Sequence, residues 1–304
     1  MAEPQHSIET QLTSFPSTTR HFLWNDDYIE LLAHKLDLQK VRTLVDIGSG
    51  FGFIAGLFGL YMKPGSQVYG FNPDAKLIAD AQARAEANPF SVSFRYEVVA
   101  PERLPLEDAQ ADLVICQYVL SKVADPDAVL KEMVRVVRPG GRVVAFEPNM
   151  MIQSLVLDTA SRHYTLEERV MQVRYQAFYE TGKALLGHGE EAIGDRVPEL
   201  FLANGLNVLD VRLSDKAAAV YPPYAGEEQR VRLEELTTWQ DRFTAHEGFI
   251  RACFLKGGGN EREFEQFRAW ELAENARLRE QIAQGRFVHP GGMLTYIVIG
   301  QRPD

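Results

Sequence analysis

Several protein classes are excluded by what this sequence has little of. Cysteine occurs only twice, at the widely separated Cys116 and Cys253, which rules out a disulfide-stapled scaffold and a cysteine metal cluster. Both are expected as buried, reduced thiols. Basic residues are in deficit, with 32 Lys and Arg against 42 Asp and Glu and a net charge of −10, a balance that repels phosphate backbones and disfavours a nucleic-acid partner. No apolar run approaches the roughly 20 residues of a bilayer span. The most apolar stretch, from Phe51 to Tyr61, is thinned by Gly52, Gly56 and Gly59 and reads as a buried helix, so no membrane partner is expected. The opening residues, from Met1 to Ser7, are polar and lead into no apolar signal core, so a cytoplasmic location is expected. Internal repeats and low-complexity linkers are absent too. What remains is a chain of 304 residues, 45% apolar and 24% charged, with an ordinary globular composition and room for one elaborated domain or two small ones.

From Val41 onward strand-like and helix-like pieces alternate, the pattern of a parallel sheet covered on both faces. Thr43 to Ile47, Gln67 to Phe71, Ser91 to Val99, Asp112 to Cys116 and Arg142 to Phe146 read as strands. Between them Gly52 to Met62, Ala75 to Ala87 and Asp127 to Val137 read as helices, the last stopped by Pro139-Gly140-Gly141. Beyond Pro148 the rhythm changes. Thr165-Leu166-Glu167-Glu168 is a capping-box signature and opens a helix running to Gly182. A helix from Val197 to Asn204, a strand from Leu206 to Leu213, a long helical stretch from about Gly226 to Gln284 broken at Gly257-Gly258-Gly259, and a last strand from Met293 to Ile299 complete the chain.

The sharpest local feature is Val45-Asp46-Ile47-Gly48-Ser49-Gly50-Phe51-Gly52, a glycine-rich turn between an apolar strand and a helix. Alternate glycines let a ligand approach bare amides at a helix N-terminus. The register differs from the G-x-G-x-x-G of a pyrophosphate-binding turn, and Asp46 would repel a phosphate. An ammonium-bearing or cationic ligand suits it better, which argues against a nicotinamide-dependent oxidoreductase.

With these residues the chain resembles the class I S-adenosylmethionine-dependent methyltransferases of the small-molecule type. The resemblance extends through Leu104-Pro105-Leu106-Glu107-Asp108, Ala111 to Ile115, Val123-Ala124-Asp125-Pro126 and Val137 to Arg142. It covers Leu32 to Asn149 well and the later strands more loosely. It implies a Rossmann-like α/β fold, a seven-stranded, mostly parallel sheet of order 3-2-1-4-5-7-6 flanked by helices, with helical cap insertions. It also implies S-adenosyl-L-methionine as cofactor, lying across the carboxyl ends of the first strands. Carried over residue by residue, it places Asp46, Gly48, Ser49, Gly50 and Gly52 around the methionine part, and Cys116, Gln117 and Tyr118 near the methyl group and amino-acid end. Two positions depart from the family. Asn72 stands where an acidic residue usually grips the ribose, and Ala100-Pro101 where an acidic residue and a backbone amide usually read the adenine. Glu102, or packing by Phe71 and Leu104, is expected to serve in their place, with Pro101 in the same loop.

Methyl transfer needs alignment and, for a weak nucleophile, a base. His163, Tyr164, Tyr28 and His21 are the catalytic candidates, with His289 a further histidine before the last strand; no metal ligands are expected. Aromatic residues outside the core, among them Trp24, Tyr175, Phe178, Tyr179, Trp239 and Phe243, suggest a lid over a small, largely apolar or aromatic substrate. The expected layout is an N-terminal segment over the active site (1–35), a cofactor-binding core (36–149), a helical cap (150–192), a core helix and strand (193–213), a helical insertion (214–290) and the last strand (291–304). The rival reading is a methyltransferase-like protein that binds a cofactor or metabolite for regulation or structure, or that catalyses a non-methylating reaction such as a cyclisation. Monomer and homodimer both stay open.

Overall fold

The computed structural model describes residues 24–87, 91–292 and 294–304. Its strands are β1 (Thr43–Ile47), β2 (Gln67–Asn72), β3 (Ser93–Val98), β4 (Ala111–Gln117), β5 (Val137–Pro148), β6 (Asn207–Leu213) and β7 (Thr295–Gln301). Its α-helices are α1 (Asp26–Lys35), α2 (Phe53–Gly59), α3 (Ala75–Ala87), α4 (Pro126–Val136), α5 (Leu166–Leu185), α6 (Val197–Ala203), α7 (Glu227–Ala245), α8 (Glu247–Lys256) and α9 (Glu261–Ala283). None is long and apolar enough to cross a membrane.

All seven strands join one sheet of order β3-β2-β1-β4-β5-β7-β6, the order the family resemblance implies. The first five run parallel, and β7 is antiparallel to both neighbours. The central strands are apolar runs because the sheet is covered on both faces. On one face Val45, Ile47, Val114, Cys116, Val143 and Ala145 share a core with Val129 and Met133 of α4 and Val197 and Phe201 of α6. Strand alternation and register put Asp46, Ile115, Gln117, Val144 and Phe146 on the other face.

Local chemistry sets the helix ends. Asp125 caps α4 by accepting from the Ala128 amide at 3.0 Å, with Pro126 in the first turn. Pro139-Gly140-Gly141, expected as the stop after this helix, lies inside β5, because Val137 already pairs with Ala111 across a register shift.

The chain divides into two units, a sheet unit (Trp24–Asn149, Ile193–Asp215, Thr295–Asp304) and a helical unit that includes Met150–Ala192 and Lys216–Leu294. The boundary expected at residue 35 separates α1 from the core, whereas the structure makes α1 part of the sheet unit. Ile29, Leu32 and Ala33 of α1 are buried there, the Tyr28 hydroxyl donates to the Leu213 carbonyl at 2.8 Å, and Arg142 donates to the Lys35 carbonyl at 2.9 Å.

In the helical unit the Thr165–Glu168 capping box opens α5 as expected. The stretch from 226 to 284 breaks at His246 as well as at the glycines, giving α7, α8 and α9. Tyr175, Tyr179, Phe243, Phe254, Phe264 and Phe267 pack together with Cys253 as this unit's own core, and the Tyr175 and Phe267 rings stack with centroids 3.5 Å apart. Rings satisfied by one another give no indication of a substrate pocket, and Trp24 and Tyr28 belong to the sheet unit. Gly257 and Gly182 mark a close helix contact. A β-carbon at Gly257 would stand 1.8 Å from the Phe178 carbonyl oxygen, and one at Gly182 would stand 1.6 Å from that of Cys253, so α5 and α8 touch backbone to backbone.

Gly182→Ala and Gly257→Ala are therefore expected to destabilise the protein by about 2–3 kcal/mol or more. Gly248→Ala in α8, where a β-carbon meets nothing within 4 Å, should stabilise it by about 0.5–1 kcal/mol. Denaturant melts of the three variants check this.

Candidate active site

The turn after β1 is shaped by what cannot stand in it. Gly48 and Gly52 both have positive φ, at 67° and 77°. A β-carbon on Gly48 would lie 2.2 Å from the Val119 side chain, and one on Gly52 would lie 2.3 Å from the Tyr96 hydroxyl oxygen. The Ser49 amide donates to the Phe71 carbonyl at 2.9 Å, tying the turn to β2. Asp46 is completely buried at the end of β1. Tyr96 reaches over Gly70, whose β-carbon would meet its ring at 2.3 Å. Burial and then the Asp46 charge push the Tyr96 phenol well above its ordinary value, so it stays a neutral hydroxyl beside the turn. Ser49 Oγ and Gln117 Nε2, both buried, have no hydrogen-bond partner among the described residues.

The segment after β4 is held by one carboxyl group. Glu147, fully buried at the end of β5, accepts from the amides of Val119 (2.9 Å), Leu120 (2.8 Å) and Ser121 (3.1 Å). Burial pushes its carboxyl up to about 7 against those three bonds. Tyr118, just before, has a left-handed backbone with φ 54°, a conformation that a non-glycine residue keeps only when its surroundings hold it. Its amide donates to the Phe146 carbonyl at 2.9 Å, and its hydroxyl shares a 2.9 Å hydrogen bond with Thr295 Oγ1. Cys116 is buried beneath, and burial, then Glu147 and Asp46, raise its thiol far above the usual range. It is a packed thiol and no nucleophile.

Asn72 ends β2, and its side-chain carbonyl accepts from the Asp74 amide at 2.8 Å. Pro101 is buried and Glu102 exposed in the turn after β3. Phe71 and Leu104 lie inside the sheet's apolar core.

The described catalytic candidates are divided between the two units. His21 lies outside the described residues. His163 and Tyr164 belong to the helical unit and Tyr28 to the sheet unit. His163 is exposed and its Nε2 accepts from Arg162 at 3.1 Å. Burial and then Glu274 raise the Tyr164 phenol, and burial raises that of Tyr28, so both phenols stay protonated and neither is poised as a base. His289 Nδ1 accepts from the Gly291 amide at 2.9 Å, and burial lowers its pKa, which holds it neutral. Sequence reasoning missed Tyr96 and Glu147. An acid ending the apolar run Val143-Val144-Ala145-Phe146 was a legible sign of the second; nothing local marks Tyr96.

Residues 45–145 match the profile of a family described as "Methyltransferase domain". Over these residues the chain resembles the class I S-adenosylmethionine-dependent methyltransferases. The methyltransferase domain resembles a ubiquinone/menaquinone biosynthesis C-methyltransferase of Rubrivivax gelatinosus, 29% identical over 127 residues that are 42% of this chain and 46% of the relative. It is also similar to an uncharacterized 37.1 kDa protein from a transposon of Streptomyces fradiae, 33% identical over 142 residues, 45% of this chain and 40% of the relative. The chain thus spans less than half the length of these two relatives. A solved S-adenosylmethionine-dependent methyltransferase from Methanosarcina mazei shares the fold, with TM-score 0.51 and 13% identity over 90% of this chain and 97% of that one.

The raised Glu147 carboxyl has a consequence for stability. It stays protonated in the folded methyltransferase domain where the unfolded chain's carboxyl, near 4.5, is already ionised. Its contribution is complete below that value and is lost as pH rises through about 7. Glu147→Gln, which cannot titrate, should flatten this fall by up to about 3 kcal/mol. Urea melts of both proteins between about pH 4 and 8 check the difference.

Proposed function

We propose that this chain is a cytoplasmic methyltransferase that uses S-adenosyl-L-methionine to methylate oxygen, nitrogen or carbon of a small, largely apolar or aromatic molecule, by in-line transfer and with no nucleic-acid or membrane partner. The observation that carries the reading is the buried Asp46 beside a turn from which β-carbons are sterically barred, with Ser49 Oγ and Gln117 Nε2 lacking partners among the described residues. These groups fit the cofactor. A buried carboxylate suits an ammonium or sulfonium charge, bare glycine amides admit a close ligand, and buried polar atoms need bonds from outside the described residues when these supply none.

The cofactor, when bound, supplies an electrophilic methyl group on a sulfonium. The chain's own residues do the rest. Asp46 and the turn Gly48, Ser49, Gly50 and Gly52 hold the methionine part, and Asn72 meets the ribose with one fewer acceptor than a carboxylate would offer. The loop of Pro101 and Glu102 borders the adenine. Gln117 and Tyr118, fixed through Glu147 and Thr295, orient the segment facing the reacting groups. Cys116, kept protonated, does not compete as a nucleophile. With both candidate tyrosines protonated, alignment carries the reaction and no side-chain base is required of them.

The substrate class draws support from relatives named for quinone biosynthesis. Besides the C-methyltransferase above, a ubiquinone biosynthesis O-methyltransferase of Bradyrhizobium is 32% identical over 134 residues, 44% of this chain and 51% of that relative. The net charge of −10 opposes a nucleic-acid substrate.

Calorimetry should show binding of S-adenosylmethionine and S-adenosylhomocysteine and none of NAD. Asp46→Ala should weaken both about a hundredfold or more, while Asn72→Asp should preserve or tighten them. No heat with either ligand, or stabilisation by NAD alone, overturns the reading.

A further inference from the structure

Trp24 is the residue just before the N-cap of α1. It is 5% exposed, and its indole Nε1 is sealed from solvent with no acceptor among the described residues. An indole N–H can only donate, and leaving it buried and unbonded is unfavourable by roughly 1–3 kcal/mol unless something outside the described chain accepts from it. Its place in the fold says what that could be. The Trp24 ring meets Phe146 edge-on at 5.4 Å and lies parallel to Tyr28 at 6.3 Å. Phe146 pairs with Gln117 across β4 and β5, so the two side chains are neighbours on one face of the sheet. Gln117 Nε2 is itself a buried donor lacking an acceptor among the described residues. Asp46 shares that face, pairing with Ile115 two residues before Gln117. Two donors without acceptors among the described residues thus share the carboxyl edge of the sheet with the Asp46 carboxylate.

We propose that Trp24 is a binding residue of this site, and that its indole N–H, together with the Gln117 amide, donates to the carboxylate of an α-amino-acid group whose positive end is met by Asp46. Donors without acceptors call for an anionic oxygen, and a carboxylate offers two, while the Asp46 carboxylate on the same face suits a ligand group of positive sign. A zwitterion satisfies both, and a nucleotide phosphate or a purely apolar ligand does not. Neutralising each end inside the protein removes the penalty of burying either charge alone. The packing of Trp24 on Phe146 and Tyr28 fixes the indole before the ligand arrives, so little side-chain entropy is lost on binding. The inference rests on the methyltransferase reading and adds to it a residue from outside the residues matched by the family profile.

The test separates the two. Calorimetry of the full chain with S-adenosylhomocysteine is compared with 5′-methylthioadenosine, which keeps the nucleoside and thioether and lacks the amino-acid group. Trp24→Phe should weaken S-adenosylhomocysteine roughly tenfold or more and leave methylthioadenosine within about twofold. Gln117→Met, nearly isosteric, should act in the same direction, so the result does not depend on one variant folding well. In the double variant Trp239→Phe/Trp270→Phe, which keeps Trp24 as its one tryptophan, S-adenosylhomocysteine should shift the fluorescence and methylthioadenosine should not. Equal losses for both ligands would show that Trp24 only supports the fold, and no loss for either would show that it does not bind; each overturns the proposal. Failure of the unmodified protein to bind either ligand overturns the methyltransferase reading instead.

Discussion

A β-carbon at Gly52 or Gly70 would overlap the Tyr96 side chain, and one at Gly48 would overlap Val119. The carboxyl edge of the sheet depends on this exclusion. Because no side chain stands at these points, β1, β2 and β3 can bring the turn and Tyr96 into direct contact beside Asp46, and α2 can begin where the turn ends. Tyr96 in turn is neutral and buried, so it closes the space beside Asp46 without adding a second charge. Steric exclusion on one side and a buried carboxylate on the other mark the edge at which the cofactor is proposed to bind.

Glu147 supplies the complementary order. One buried carboxyl, accepting from three successive amides, sets the path of the chain after β4 and with it the left-handed Tyr118. The same group couples that path to pH, since its protonation differs between folded and unfolded chains near neutrality. Structure, electrostatics and the placing of Gln117 therefore meet at a residue far from the glycine turn in sequence.

The helical unit changes how the aromatic residues are to be understood. Their number outside the core suggests a lid over a substrate, yet Tyr175, Tyr179 and Phe243 are packed in one cluster with Phe254, Phe264 and Phe267. A unit with little sheet to pack on must build its own core, and large rings bury the most area per side chain. The glycines of this unit serve the same end, allowing α5 and α8 to approach until their backbones meet.

Much of the sheet was legible because its code is local. Apolar strands punctuated by glycine and proline, a helix with one apolar face, a capping box and the Asp46 turn each lie within a short window, and the resemblance supplied the strand order. Even there Pro139-Gly140-Gly141 was misplaced, since pairing with Ala111 outweighed the local stop. The relations that matter at the site are not local. Tyr96 over Gly70, Glu147 under Val119, Tyr118 against Thr295 and Trp24 against Phe146 join residues remote in sequence, and strand register alone decides which of them share a face. Sequence by itself determined the class of fold and the glycine turn, because propensity and periodicity act over a few residues. Only the tertiary structure decided which polar atoms are buried without partners and which tyrosines are kept protonated, because burial and charge proximity are properties of space.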